Sequence, residues 1–192
     1  MGGRILGISG GRILYAAVFL AAAATDLVSK EIVFARMGMP GVSPAVTVVP
    51  GMLWIETNLN EGALFGMGQG FGALFALVSV AALSIILFVV ARTAAGREPL
   101  LVAALGLISG GIVGNLYDRL GLPGLAWHAP LERQGSRVLA VRDWIHFRLD
   151  GIIDWPVFNL ADSWLVIGSA TLVMLSLLAP RPPETEDHGK SS

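Results

Sequence analysis

The sequence has no cysteine and few charged residues, and each of these shortages excludes a class of function. Without cysteine, the chain cannot form disulfides, use a thiol nucleophile or bind a metal through thiolates. Charged residues make up 14% of the 192 positions, whereas a soluble domain of ordinary composition has roughly 25%. The net charge of −1 gives no basis for nucleic-acid binding.

Sequence motifs for zinc-dependent hydrolysis and for a serine–lysine pair are also missing. The three histidines, His128, His146 and His188, are isolated from one another, so the sequence predicts no zinc site. No Ser-x-x-Lys pattern occurs, so a serine nucleophile would have no lysine base of that kind. We therefore expect neither a metal nor a cofactor.

Long apolar stretches are what the chain has instead. Hydrophobic residues make up 54% of it and the mean hydropathy is +0.70. A stretch of about 20 residues spans the roughly 30 Å of hydrocarbon in a bilayer. The pattern predicts one all-α membrane domain, residues 1–179, with spans at about 13–33, 71–91, 99–117 and 158–179. The polar tail, 180–192, is predicted to be disordered.

The first stretch has a second interpretation. Arg4 and Arg12, followed by an apolar run and four alanines, are also typical of a cleaved signal peptide. Asp26 and Lys30 oppose that interpretation, since they lie inside a pattern that stays apolar to Phe34.

Basic residues in the short flanks indicate the orientation. They precede span one, separate spans two and three, and follow span four, which predicts a cytoplasmic position for both termini. Segments 36–70 and 118–157 then lie outside. Val46–Val49 and Leu53–Thr57, separated by Pro50 and Gly51, predict a small hairpin or sheet. Residues 138–147 mix aromatic and charged side chains, which is typical of a segment at the membrane interface.

Polar residues in three spans converge at one depth. At 1.5 Å per helical residue, Asp26 lies roughly 21 Å beyond Arg12, in the outer half of the membrane. The same arithmetic brings polar residues of spans three and four to the outer surface: Asn115, Asp118, Asn159 and Asp162. An ionisable residue in a membrane span indicates a functional site.

Two carboxylates that share a proton could act there as an acid and base pair. Asp162, which opens span four, is the strongest candidate, although a carboxylate is also favourable at any helix N-terminus. Spacing does not choose its partner among Asp143, Asp150 and Asp154. Asp26 with Lys30, and Asp118 with Arg119, could be structural ion pairs.

Five motifs, in order, resemble those of signal peptidase II, the lipoprotein signal peptidase of bacteria. They are Asp26–Lys30, Asn60–Phe65, Gly110–Arg119, Val141–Ile145 and Phe158–Ser163. The resemblance covers about residues 12–179.

This resemblance implies a fold, an activity and a set of site residues. The fold would be a four-transmembrane-helix bundle with a small extracytoplasmic β-sheet and an interfacial helix. The activity would be aspartic endopeptidase cleavage of prolipoproteins before a diacylglyceryl-modified cysteine, near the outer face of the cytoplasmic membrane. The catalytic pair would be Asp143 and Asp162. The supporting positions, which would bind substrate backbone or orient the carboxylates, are Asp26, Lys30, Asn60, Gly62, Gly111, Asn115, Arg119, Asn159 and Ala161. We expect lipidated precursors and membrane lipids as partners and a monomeric enzyme.

The chain departs from the family pattern in the fourth motif. Residues 120–140 form an insertion where the family has only a handful of residues, and it could be a lid or an inert decoration. Arg142 stands where an apolar residue is common, and Trp144 where phenylalanine is common, so Asp143 is matched less closely than Asp162.

A small proton-coupled transporter is the alternative function. Asp26, Lys30 and Asp162 could form a proton relay, but a relay needs polar groups reaching both membrane faces. Their concentration near one face, beside a fully apolar second span, disfavours a transporter.

Overall fold

The structure, a computed structural model, describes residues 8–62, 70–93, 98–149 and 151–179. The predicted disorder of residues 180–192, the Ala63–Phe65 part of the second motif and the candidate Asp150 lie outside the described residues.

Four helices form the bundle: α1 (Ile8–Met37), α2 (Gly72–Thr93), α3 (Pro99–Arg119) and α4 (Leu160–Leu178). Each is long and apolar enough to cross a membrane. The four helices coincide with the predicted spans, although α1 extends beyond its predicted limits at both ends. Large apolar side chains on α2 and α4 are exposed, for example Leu77 and Val166, as expected for surfaces that face lipid.

Helix α3 is the centre of the bundle and packs against the other three helices. Its glycines permit this close approach. A Cβ at Gly110 would lie 2.5 Å from the Cβ of Ala22, and one at Gly106 would lie 3.0 Å from Val18. Since Ala22 and Ala23 are buried in an unbroken α1, the alanine run belongs to the packed bundle.

Four strands form one antiparallel sheet in the order β1 (Val46–Val49), β2 (Leu53–Asn60), β3 (Val141–Leu149) and β4 (Ile153–Asp154). The predicted hairpin is β1–β2, with Gly51 at a positive φ of 74° in the turn. Strand β2 pairs with β3 through Asn58 with Asp143 and Asn60 with Val141. The sheet follows the C-terminal end of α1 and precedes α4, so it lies over one end of the bundle, which we name the sheet end.

The segment proposed for the membrane interface is a strand. Residues 141–149 form β3, and the described part of the chain contains no helix beyond the four spans except the 3-10 turn Leu131–Arg133. The interfacial helix that the family resemblance implies is thus absent from the described residues. An exposed strand usually shows alternating apolar and polar residues. β3 does not show this pattern, because its first three residues, Val141 to Asp143, are all buried although two of them are charged.

Candidate active site

The start of α4 holds the first carboxylate. Asn159 is the N-cap, and its Oδ1 accepts a hydrogen bond from the backbone N–H of Asp162 at 2.9 Å. The carboxylate of Asp162 in turn accepts one from the backbone N–H of Asn159, at 3.3 Å. This reciprocal pair is a capping box, which satisfies two donors at the helix end. Asp162 therefore stabilises the helix terminus as well as lying in the site.

The second carboxylate is delivered by the sheet. Asp143, on β3, is fully buried, and its Oδ1 accepts a hydrogen bond of 2.6 Å from the amide of Asn159. Asn159 thus contacts both carboxylates, one through its side chain and the other through its backbone. The structure brings Asp143 and Asp162 together at the sheet end of the bundle.

Burial and the nearby charge of Asp162 raise the pKa of Asp143 to about 8. Hydrogen bonds from the side chains of Asn159 and Asn60 and the charge of Lys30 lower it, but they are the smaller influences. A buried carboxyl group next to a second, ionised carboxylate resists losing its proton and stays protonated near neutral pH. At that pH, Asp143 can donate a proton.

A chain of amides connects the pair to Lys30. The amide nitrogen of Asn115 donates to Asp162 Oδ1 at 2.8 Å. Its oxygen accepts from Asn159 at 3.1 Å and from Lys30 Nζ at 3.0 Å. Because both ends of Asn115 and Asn159 are used, the orientation of each amide is fixed.

A buried group of four charged residues adjoins these amides through Lys30. Lys30 Nζ lies 2.7 Å from Asp26 and 3.0 Å from Asp118, and the Arg142 Nε lies 2.9 Å from the other oxygen of Asp118. The group contains two acids and two bases, and each side chain is at most 2% exposed. Buried charges persist where they are paired in this way. We call Asp26, Lys30, Asp118 and Arg142 the buried quartet.

The buried quartet confirms one predicted ion pair and overturns the other. Asp26 and Lys30 are paired as expected. Asp118 pairs with Lys30 and Arg142 rather than with its neighbour Arg119, because consecutive residues on a helix point about 100° apart. Sequence reasoning missed Arg142, whose extra contact reaches Glu31 at 3.1 Å. The departure from an apolar residue at this position was the available signal.

Close contact between α3 and α4 fixes the backbone beside the site. The backbone N–H of Ala161 donates to Asp26 Oδ1 at 2.9 Å. A Cβ on Gly111 would lie 2.5 Å from the carbonyl oxygen of Ala161, and a Cβ on Gly114 would collide with the Asp26 carboxylate. Gly111 and Ala161 therefore act through the space they leave free.

The remaining predicted residues lie where β2 leaves the sheet. Gly62 donates its N–H to Asn60 Oδ1 at 3.0 Å, and its carbonyl accepts from Arg119 at 3.0 Å. Arg119 also lies over the ring of Phe75, 5.5 Å from its centroid. All eleven predicted site residues thus lie at the sheet end.

Asp154 does not belong to this group. It is 67% exposed and pairs with His146 at 2.7 Å. Within the described ranges, no cluster of three or more histidine, aspartate or glutamate residues is arranged to hold a metal ion. The arrangement offers two carboxylates, amide donors and a nearby cation, which suits proton transfer to and from a bound water.

The depth of the polar residues bears on the transporter alternative. Among the described residues, the buried polar side chains are concentrated at the sheet end, and Ser109, bonded to Tyr15 at 2.8 Å, is the exception. In the described part of the bundle, no continuous row of buried polar side chains connects the two membrane faces.

Known proteins resemble this chain over most of its length. A family model described as signal peptidase (SPase) II matches residues 18–178. A lipoprotein signal peptidase of Rhodopirellula baltica is 42% identical over 176 residues, covering 92% of this chain and 77% of the relative. One of Rhodococcus jostii is 34% identical over 165 residues, covering 84% and 71%.

Two solved structures, both described as bacterial membrane enzymes, share the fold. One has a TM-score of 0.67 at 23% identity, with 100% of this chain and 99% of that chain covered. The other has a TM-score of 0.65 at 24% identity, with 94% and 100% covered.

Proposed function

Because this chain belongs to the signal peptidase II family, we propose that it is an aspartic endopeptidase acting on bacterial prolipoproteins. It removes the signal peptide by cutting before a diacylglyceryl-modified cysteine. The observation that carries the proposal is the sharing of Asn159 by two carboxylates, Asp143 and Asp162.

In the proposed mechanism, Asp162 is ionised and Asp143 is protonated. Asp162 takes a proton from a water molecule, which attacks the scissile carbonyl carbon, while Asp143 donates its proton to the carbonyl oxygen. The raised pKa of Asp143 supports this division of roles, because it keeps one proton on the pair at neutral pH. The amides of Asn115 and Asn159 hold both groups in the required orientation.

The substrate is proposed to enter sideways from the bilayer, with its signal helix among the spans and its acyl chains in lipid. The sheet end then faces the outside of the cytoplasmic membrane, and the termini face the cytoplasm. Asn60, Gly62 and Arg119 lie beside the carboxylates and supply the contacts to substrate backbone. The enzyme acts as a monomer and requires no cofactor.

The test is cleavage of a lipidated precursor by purified enzyme carrying Asp143→Asn or Asp162→Asn. Each variant is expected to lose at least about 100-fold in kcat, the usual contribution of a general acid or base. Asp154→Asn, an exposed carboxylate on the same sheet, is the matched control and should retain full activity. Full activity in either test variant would contradict the proposed carboxylate pair. Equal cleavage of an unlipidated precursor would refute the proposed specificity.

A further inference from the structure

The insertion between α3 and β3 is an ordered element with its own hydrogen bonds. The backbone N–H of Trp127 donates to the carbonyl of Ser136, and the backbone N–H of Gly135 donates to the carbonyl of Trp127, both at 2.9 Å. Val138 donates to Leu125, also at 2.9 Å, and its side chain is buried against Met39. Such pairing and burial are not expected of a solvated, inert loop.

Arg133 is the residue of this insertion that reaches the candidate site. Its NH1 and NH2 nitrogens bind the two carboxylate oxygens of Glu61, at 2.8 and 2.5 Å. Its guanidinium carbon lies 4.1 Å from the ring centroid of Trp127. The paired hydrogen bonds fix the angle of the carboxylate as well as its position, and the stacked indole holds the guanidinium in place.

Glu61 lies between two residues of the proposed site. Asn60 precedes it, pairs with Val141 on β3 and hydrogen-bonds toward Asp143. Gly62 follows it and is held by Asn60 and by Arg119. Fixing Glu61 therefore fixes the three-residue segment 60–62 against both the sheet and α3.

The contribution of this ion pair to folding stability is small. The two side chains are 40% and 30% exposed, and ion pairs at such positions contribute about 0–1 kcal/mol. The hydrogen bonds from Arg133 hold the pKa of Glu61 below its ordinary value, so the pair is intact at neutral pH. What two-point binding adds beyond stability is orientation.

We propose that Arg133 is a positioning residue for substrate binding, acting through Glu61 on Asn60 and Gly62. This inference rests on the proposed function, since it concerns the binding of the precursor backbone beside the carboxylate pair. It assigns the insertion a role in substrate affinity that an inert decoration would not have.

The experiment is a double-mutant cycle on the purified full-length enzyme with a lipidated precursor. Arg133→Ala and Glu61→Gln should each raise KM by about three- to thirty-fold, which lies within the range of coupling between contacting residues, with kcat within about twofold. The KM of the double variant should be no higher than that of the single variant with the larger KM. Arg133→Lys, which keeps the charge but not the fork, should fall between the parent and Arg133→Ala.

Two further readouts separate positioning from a general structural effect. The unfolding midpoints of the variants should remain within about 2 °C of the parent, because the pair is partly exposed. Raising the ionic strength should raise KM in the parent and leave Arg133→Ala unchanged, since salt screens exposed charges. Glu132→Ala, on the same 3-10 turn, is the matched control and should behave as the parent does.

A parental KM in Arg133→Ala, in a preparation whose parent enzyme cleaves the precursor, would overturn the inference and leave the proposed function standing. A joint loss of kcat and of thermal stability would also overturn it, in favour of a structural role. A parent enzyme that cannot cleave any lipidated precursor would instead overturn the proposed function itself.

Discussion

At the scale of single residues, the proposed chemistry depends on one carboxyl group, that of Asp143, staying protonated at neutral pH. Asp143 is buried on β3 and lies beside the charge of Asp162, and both influences oppose its negative form. The same two influences make the ionised form of Asp143 unfavourable in the folded protein. Activity and stability should therefore both fall as the pH rises, whereas substitution of Asp143 should lower activity and raise stability.

Activity should fall on the alkaline side. With a pKa of about 8, Asp143 is protonated at pH 7 and ionised at pH 9, where neither carboxylate can donate a proton. We expect kcat/KM to decrease about tenfold per pH unit above that value, a limb that belongs to the coupled pair. The measurement is precursor cleavage between pH 6 and pH 10, with Asp154→Asn showing the same limb. A rate independent of pH across this range would contradict the assignment.

Stability should also fall as the pH rises, but substitution of Asp143 should prevent that fall. Between the unfolded pKa, about 4, and the folded pKa, about 8, the folded protein binds more protons than the unfolded chain, so stability falls as the pH rises. Asp143→Asn removes this loss and can still accept the hydrogen bond from Asn159. At pH 9 the inactive variant should unfold at a higher temperature, by about 2–4 °C for each kcal/mol gained. Thermal unfolding at pH 5 and pH 9 tests this, and a gain at both pH values alike would contradict it.

At the scale of elements, the contact between α3 and α4 sets the distance across the site. Asn115 on α3 bonds Asp162 on α4, and Gly111 and Gly168 allow the two backbones to approach. Small residues at a helix seam exchange side-chain volume for proximity. The seam is therefore sensitive to one added methyl group.

Gly168→Ala should destabilise the bundle. The added Cβ would lie 2.6 Å from Ile108 Cγ1 and 2.8 Å from the carbonyl oxygen of Ala104, which cannot move without its helix. Overpacking of this kind costs about 1–3 kcal/mol, more than the roughly 1 kcal/mol that alanine gains over glycine in a helix. Thermal unfolding in detergent measures the difference. Gly72→Ala, whose Cβ would have 3.7 Å to its nearest neighbour, is the control and should not lower the midpoint.

At the scale of the whole molecule, the bundle has a polar end and an apolar body. The four spans could be predicted from sequence because each is a single run of sufficient length, and α3 begins at Pro99 as expected. The proposed partner of Asp162 could not be predicted from spacing, because Asp143 reaches the site through strand pairing with β2. In sequence, Arg142 is only a departure from the apolar residue common in the family, and its contact with Asp118 shows that it is buried and paired. The link between Glu61 and Arg133 joins residues 72 positions apart, which no local pattern records.

The proposed orientation of the whole molecule can be tested because the chain lacks cysteine. Leu131, in the insertion, is 82% exposed, and Arg92 is exposed at the opposite end of α2. In intact spheroplasts, a membrane-impermeant maleimide should label the Leu131→Cys variant. It should label Arg92→Cys only after lysis, and the parent should stay unlabelled. The reverse pattern would place the sheet end in the cytoplasm.

The buried quartet also has a consequence for biogenesis. Lys30 enters the membrane with α1, but Asn115, its amide partner on α3, is synthesised 85 residues later. At about 5–20 residues per second, the delay is on the order of ten seconds. During that time α1 carries Lys30 with Asp26 as its only partner from the quartet, and the remaining two members arrive with α3 and β3. The newborn protein thus has an interval in which the ion pair of its first helix is neutral in charge but lacks the partners that satisfy it in the folded bundle.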